Sequence, residues 1–145
     1  MSTPPAPDRP ISQELLELTF RLTARLRGGL DAAHTDLGLP PAQAQALASL
    51  RAPVPMRELA TMLACDASNV TGIVDGLERR GLVERRPDPR DRRVKQLVLT
   101  EEGERRRAAL DAHIAKTAGE VFDLPERDQE ALRDLLSRLV EEPDA

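Results

Sequence analysis

Aromatic side chains are almost missing: Phe20 and Phe122 are the only two among 145 residues, with no tryptophan or tyrosine. Recognition that depends on ring stacking, such as single-strand nucleic-acid platforms or cages for quaternary ammonium groups, has nothing to work with. Cys65 is the only cysteine, which excludes an intrachain disulfide and with it a disulfide-framed secreted scaffold. No stretch approaches the roughly 20 apolar residues a bilayer crossing needs. Met1–Pro7 has neither the basic start nor the apolar run of a secretory leader. These absences lead to the expectation of a cytoplasmic protein with no membrane partner. With 40% hydrophobic and 32% charged residues, the composition is that of a soluble chain. At this length about 70% of the unfolded surface can be buried without metal or disulfide staples.

Net charge is −4, which on average argues against nucleic acid, but the average hides an asymmetry. Arg79 to Lys95 holds eight basic residues (Arg79, Arg80, Arg85, Arg86, Arg90, Arg92, Arg93, Lys95) against Glu84, Asp88 and Asp91. The window is therefore +5 and the remainder −9. A compact basic segment on an acidic body suits a local polyanion contact, because the rest of the molecule does not attract phosphate indiscriminately. A solvated charged turn is the plain alternative.

Residues 1–10 carry four prolines and read as a disordered or extended arm. A helical pattern then runs over 11–37 through Leu15, Leu18, Leu22, Leu26, Leu30 and Ala33, stopped by Gly38 and Pro40. Pro41 suits the first turn of a second helix with Ala46, Leu47 and Leu50 on its apolar edge. Nothing to this point reads as a strand. Two short helices follow with apolar stripes at matching spacing, Met56-Leu59-Ala60-Leu63 and Val70-Ile73-Val74-Leu77. They are separated by the tight turn Ala64-Cys65-Asp66-Ala67, where Asp66 or Ser68 can accept the free N–H groups of the second helix. That helix, about 67–80, ends on Arg79-Arg80-Gly81, cations followed by glycine. Leu82–Arg86 and Val94–Leu99 read as two strands of a hairpin over about 82–99, whose tip is Pro87–Arg93. Thr100 with Glu101 and Glu102 opens a helix bearing Leu110, His113, Ile114, Thr117, Ala118, Val121 and Phe122, and Pro125 starts a last one with Leu132, Leu135, Leu136, Leu139 and Val140 on its inner face.

The expected fold is mainly α with a small β-hairpin wing: a winged helix-turn-helix over 40–99, with terminal helices over 11–37 and 100–141 forming a helical dimerisation region within one domain, 11–145. In such a unit the second helix of the pair enters the major groove. Its apolar stripe turns inward and leaves Ser68, Asn69, Thr71, Gly72, Asp75 and Gly76 outside. Asn69 can pair bidentately with adenine, while Ser68 and Thr71 can reach a base edge or a phosphate. Glycines at 72 and 76 each cost about 1 kcal/mol in a helix interior relative to alanine. Close approach to another surface, either DNA backbone or a neighbouring helix, accounts for them. Arg90, Arg92 and Arg93 on a thin loop can enter the minor groove, with Asp91 directing an arginine from within the wing. Arg79, Arg80, Arg85 and Arg86 would neutralise flanking phosphates.

Asp66–Arg85, then Asp88-Pro89-Arg90-Asp91-Arg92-Arg93 and Leu97-Val98-Leu99-Thr100-Glu101-Glu102-Gly103, resemble the MarR family of bacterial transcriptional regulators, and the order of elements matches from about Ile11 to Val140. The resemblance implies a homodimer interlocked through the first, fifth and sixth helices, with double-stranded DNA as the partner and a palindromic site read by two winged domains. Leu15, Leu18, Leu22, Ile114, Val121, Leu132, Leu135, Leu136 and Leu139 are the candidate dimer contacts, since those helices carry more apolar stripe than one winged domain covers. It also implies a repressor that leaves DNA when a small phenolic or anionic ligand enters a cleft between dimer helices and winged domain. No residue signature for that cleft transfers. Gly72 and Gly76 depart from relatives that carry longer, often basic side chains there. Cys65, before the recognition helix, is not at the position used by peroxide-sensing relatives.

His34, His113 and Cys65 are not spaced as a metal site, and no phosphate loop, nucleophile elbow or Ser-His-Asp set is present, so neither enzyme, metal nor cofactor is expected. Asn69-Val70-Thr71 formally matches a glycosylation acceptor, a chance match without a secretion signal. The rival readings are a winged-helix protein-protein interaction module and a thiol-based redox-responsive regulator acting through Cys65. A protein-binding wing would favour apolar or aromatic anchors, which this one lacks.

Overall fold

Four backbone features cut the first half of the chain into helices in the computed structural model, which describes residues 9–141. Gly38 takes the left-handed conformation at φ 63° and closes α1 (Ile11–Leu37), its N–H donating to the carbonyl of Thr35. Pro41 occupies the first turn of α2 (Pro41–Ser49), where its missing N–H costs nothing. Asp66 caps α4 (Ala67–Arg79), and Gly81, at φ 72°, turns the chain out of it. Between them lies α3 (Met56–Met62), so α3 and α4 form the expected helix-turn-helix. The reading helix thus ends one residue before the expected boundary, with Arg80 as its C-cap. Of the arm expected over 1–10, residues 1–8 lie outside the described part.

Two strands of the wing, β2 (Val83–Pro87) and β3 (Lys95–Leu99), pair antiparallel with Val83 opposite Leu99 and Pro87 opposite Lys95. The sheet is three-stranded, not the expected two-stranded hairpin: β1 (Val54–Pro55) adds to the other edge of β3, Val54 opposite Leu97, in the order β1-β3-β2. Two residues are too few to show alternation, and Pro53 and Pro55 around Val54 read as a break, so this strand exists only through its tertiary pairing. Two longer helices complete the chain, α5 (Glu101–Val121) and α6 (Glu126–Val140).

One core joins these elements. Leu47 and Leu50 of the α2 segment, Leu59 of α3, Val70, Val74 and Leu77 of α4, Leu82, Leu97 of β3 and Leu110 of α5 are all almost completely buried. Each such side chain contributes about 1.5–3 kcal/mol relative to exposure. The winged unit and the start of α5 therefore hold together as a single packed body. Arginines of α5 reinforce it at helix ends: Arg106 donates to the Leu37 carbonyl at 2.5 Å and Arg107 to the Leu50 carbonyl at 2.7 Å, satisfying acceptors the helices leave open. Arg51 adds a two-pronged pair to Asp111 at 2.9 and 3.0 Å.

The terminal helices differ. α1 crosses α5 closely, with Gly29 directly against Thr117, but its first two turns are exposed on every side. No residue of α6 is buried. Within the single chain the stripe expected to be an inner face is therefore not one: Leu135 and Leu139 are 54% and 79% exposed. Among the described residues no helix is long and apolar enough to cross a membrane.

Candidate nucleic-acid interface

The cap of α4 shapes the start of the surface. Asp66 accepts the Asn69 backbone N–H at 2.9 Å and the Ser68 hydroxyl at 2.8 Å through one carboxylate oxygen. Of the two capping residues left open above, Asp66 is the one used. These bonds, the Asn69 N–H first and the Ser68 hydroxyl second, hold its carboxyl below the ordinary carboxylate range. Ser68 thus spends its proton inside the protein and presents lone pairs outward. Thr71 donates to the Ala67 carbonyl at 2.9 Å. The Asn69 side-chain amide is exposed and makes no hydrogen bond among the described residues, leaving its donor and acceptor free together.

The two glycines of α4 part company. Gly72 is exposed, and a Cβ built there meets nothing within 4 Å, so the strip Ser68-Asn69-Thr71-Gly72 is open. Gly76, expected on the outside, is buried, and a Cβ there would collide with the Gln43 side chain of α2. Helix packing, not an outside surface, explains that one. The stripe argument places 76 at the margin of the apolar face, where one neighbouring helix decides the outcome.

Cations expected to contact flanking phosphates or enter the minor groove fall into two groups. Arg79, Arg90 and Arg92 are exposed, and their side chains make no hydrogen bond or ion pair among the described residues. The others have protein partners. Arg80 donates to the Gly38 carbonyl at 3.1 Å. Arg86 lies 3.0 Å from Glu84, a contact that raises its pKa. Arg85 lies 2.7 Å from Asp75 and 3.4 Å from Glu78, both on α4. Arg93 lies 3.4 Å from Asp91 but remains 94% exposed. The wing tip is braced from within: Asp88 accepts the Arg90 backbone N–H at 2.8 Å and the Gln96 amide at 3.1 Å, and Asp91 accepts the Arg93 N–H at 3.1 Å. In the sequence Asp88 stands out as a charge and as the first residue of the Asp88–Arg93 motif, not as a brace. Its readable signal is an aspartate two residues before a backbone donor in a proline-containing loop, an Asx turn.

At the root of the wing, Thr100 ties three segments together. Its hydroxyl donates to the Gly81 carbonyl at 2.6 Å and accepts the Gly103 N–H at 3.0 Å, while its own N–H donates to the Leu82 carbonyl at 3.0 Å. A Cβ at Gly103 would strike that same Leu82 carbonyl. The end of α4, the start of β2 and the start of α5 therefore meet at one junction.

Cys65 sits half-buried in the turn before α4, its thiol donating to the Leu63 carbonyl at 3.4 Å. No cluster of three or more His, Cys, Asp or Glu side chains suited to a metal forms among the described residues. A cavity of about 440 Å³ opens between the end of α1, the turn into α2 and Arg80, lined also by Asp31, His34, Leu39 and Pro40. The His34 Nδ1 is buried there without a hydrogen-bond partner. A larger groove, about 550 Å³ and mostly apolar, runs between α5 and α6 past Phe122, Leu132, Leu136 and Val140.

Helix-turn-helix, braced cationic hairpin and an open polar strip on the second helix define a winged helix-turn-helix of the kind that docks on double-stranded DNA. The MarR family model matches residues 39–95, the winged part. CouR from Rhodococcus jostii RHA1, solved with p-coumaroyl-CoA bound, is 30% identical with a TM-score of 0.75, over 95% of this chain and 99% of that one. A MarR-family regulator from Rhodococcus sp. RHA1 is 29% identical with a TM-score of 0.71, over 95% and 100%. Reduced MarR from E. coli is 25% identical with a TM-score of 0.73, over 87% and 96%. No curated protein matches. The chain belongs to the MarR family of transcriptional regulators.

Proposed function

We propose that the protein is a homodimeric repressor that reads a palindromic operator and leaves it when a small ligand binds. The observation that carries this reading is the open strip Ser68-Asn69-Thr71-Gly72 lying beside a wing whose Arg90 and Arg92 side chains have no protein partner among the described residues. Asn69 reads adenine in the major groove, with Ser68 and Thr71 beside it. Gly72 lets backbone come close, Arg79 with Arg80 and Arg86 supplies flanking charge, and Arg90, Arg92 and Arg93 enter the minor groove under the guidance of Asp91.

The uncovered stripes of α1 and α6 support a dimer: a second copy would cover Leu15, Leu18, Leu135 and Leu139. Two reading helices would then occupy major grooves about 34 Å apart. For the ligand, the cavity at His34 and Arg80 is the site we assign. Leu39 and Pro40 offer an apolar wall, and the Arg80 guanidinium, which spends one donor on the Gly38 carbonyl, offers its others to an anionic group. A phenolic acid or its thioester fits that chemistry, and CouR, 30% identical, was solved with p-coumaroyl-CoA.

The test is fluorescence anisotropy of a labelled duplex from the gene's own upstream region against a shuffled duplex, at two salt concentrations. Protein must be quantified without tyrosine or tryptophan absorbance. Salt-sensitive binding that prefers the native duplex by more than about a hundredfold supports an operator. Weak, equal binding to both turns the reading towards an operator elsewhere or a protein partner for the winged surface. With p-coumaroyl-CoA as the probe, loss of the native complex supports ligand release.

A further inference from the structure

Arg85 carries the largest set of side-chain ion pairs in the basic segment, and both partners belong to the reading helix. From β2 its Nη2 reaches Asp75 at 2.7 Å and its Nε reaches Glu78 at 3.4 Å. Asp75 and Glu78 stand three residues apart on α4, so one guanidinium reaches the two carboxylates through two different nitrogens. The strand end is fixed as well, since Arg85 is opposite Leu97, a fully buried residue of β3. Asp75 follows the open strip on the helix and remains 46% exposed, so without its partner it would face the duplex as an uncompensated negative charge.

We propose that Arg85 is a positioning residue for DNA recognition: it bridges Asp75 and Glu78, cancels the repulsion these carboxylates would exert on DNA, and sets the angle between reading helix and wing without contacting a phosphate itself. The proposal rests on the DNA-reading role given above. It assigns Arg85 a function different from that of the exposed Arg79, Arg90 and Arg92. The flanking charge is then left to Arg79, Arg80 and Arg86 and the minor groove to Arg90, Arg92 and Arg93, while Arg85 works on the shape and charge of the surface they flank.

Arg85→Ala is measured for operator affinity across a salt series in two backgrounds, the natural chain and Asp75→Asn/Glu78→Gln. As a positioning residue, Arg85→Ala weakens binding roughly tenfold in the natural background and less than about twofold where the carboxylates are gone, the size expected of coupled neighbours. In the background without the carboxylates the slope of log affinity against log salt is unchanged by Arg85→Ala. An equal loss in both backgrounds, with the slope lower by about one, identifies a phosphate contact and overturns the proposal. If Arg85→Ala melts near the assay temperature, Arg85→Gln replaces it: a loss confined to the natural background supports the bridge, and an equal loss in both backgrounds overturns it. A natural chain with no salt-dependent affinity for any duplex fails differently, removing the DNA reading and this role together.

Discussion

Gly72 and Gly103 invite the same substitution and answer it with opposite signs. At Gly72 a methyl group meets open space in the middle of α4, so Gly72→Ala gains helix propensity of about 1 kcal/mol. The melting temperature should rise by about 2–4 °C, while operator affinity falls because the methyl group stands where DNA would approach. A variant that is more stable and equally tight on DNA would show that the strip is not a contact surface. At Gly103 the methyl group meets the Leu82 carbonyl, backbone that cannot yield without shifting the wing root. Gly103→Ala should lower the melting temperature by several degrees. Asp66 adds a pH statement. Its carboxyl is depressed in the folded state by the Asn69 N–H and the Ser68 hydroxyl. Its contribution is fully present above the unfolded pKa and is lost as pH falls through the lower folded one. Helix α4 should therefore keep its cap from neutral pH down through the ordinary carboxylate range, and protection of the Asn69 amide against hydrogen exchange should drop only below it. In Asp66→Ala that protection should be weak at every pH. An Asn69 amide equally protected in both proteins would remove Asp66 as the cap.

Elements written in strong local signals were legible in the sequence. Gly38, Pro41, Asp66, Gly81 and Thr100 each announce a boundary locally, the glycines by permitting positive φ, Pro41 by its fixed φ, and Asp66 and Thr100 by capping hydrogen bonds, and those boundaries stand within a residue or so of the expectation. Strand β1 was not legible, because two residues next to prolines become a strand only when β3 arrives to pair with them. At the candidate interface, sequence reasoning could find the basic window but not its internal division. Whether Arg85 pairs with Asp75, ten residues earlier, depends on how the wing folds back on α4, which no local spacing encodes. The wing itself tests that division. Asp88→Ala removes the acceptor for the Arg90 N–H and the Gln96 amide, so the tip loses its brace but no positive charge. It should weaken operator binding with the salt slope unchanged. Replacing Arg90 and Arg92 together with alanine should instead lower the slope by nearly two, at ~0.9 per phosphate. Identical slopes for all three proteins would place both arginines off the DNA.

For the whole molecule the decisive imbalance is between a winged unit with a complete core and terminal helices that lack one. Thr100 and Gly103 join α5 to the end of α4, and Arg106 and Arg107 join it to the ends of α1 and α2, so α5 is the element through which the terminal helices meet the winged unit. α6 contributes nothing to the core of its own chain, yet Leu132, Leu135, Leu136, Leu139 and Val140 make one of its faces apolar. Exposed apolar area of that kind is costly in a monomer and is the ordinary mark of an interface. A substitution confined to it separates assembly from folding. Leu135→Glu with Leu139→Glu changes two residues that are more than half exposed in the single chain, so the winged core stays intact and keeps its helical signal. Sedimentation should show a shift from dimer to monomer, and the natural protein should melt higher with increasing concentration while the variant does not. A monomer offers one reading helix in place of two at fixed separation, so its affinity for a palindromic site should drop towards that for a half-site, by a factor set by the effective concentration the dimer provides. If the double glutamate variant still sediments as a dimer with unchanged operator affinity, α6 is not the dimer surface, and the exposed first turns of α1 become the place to break it.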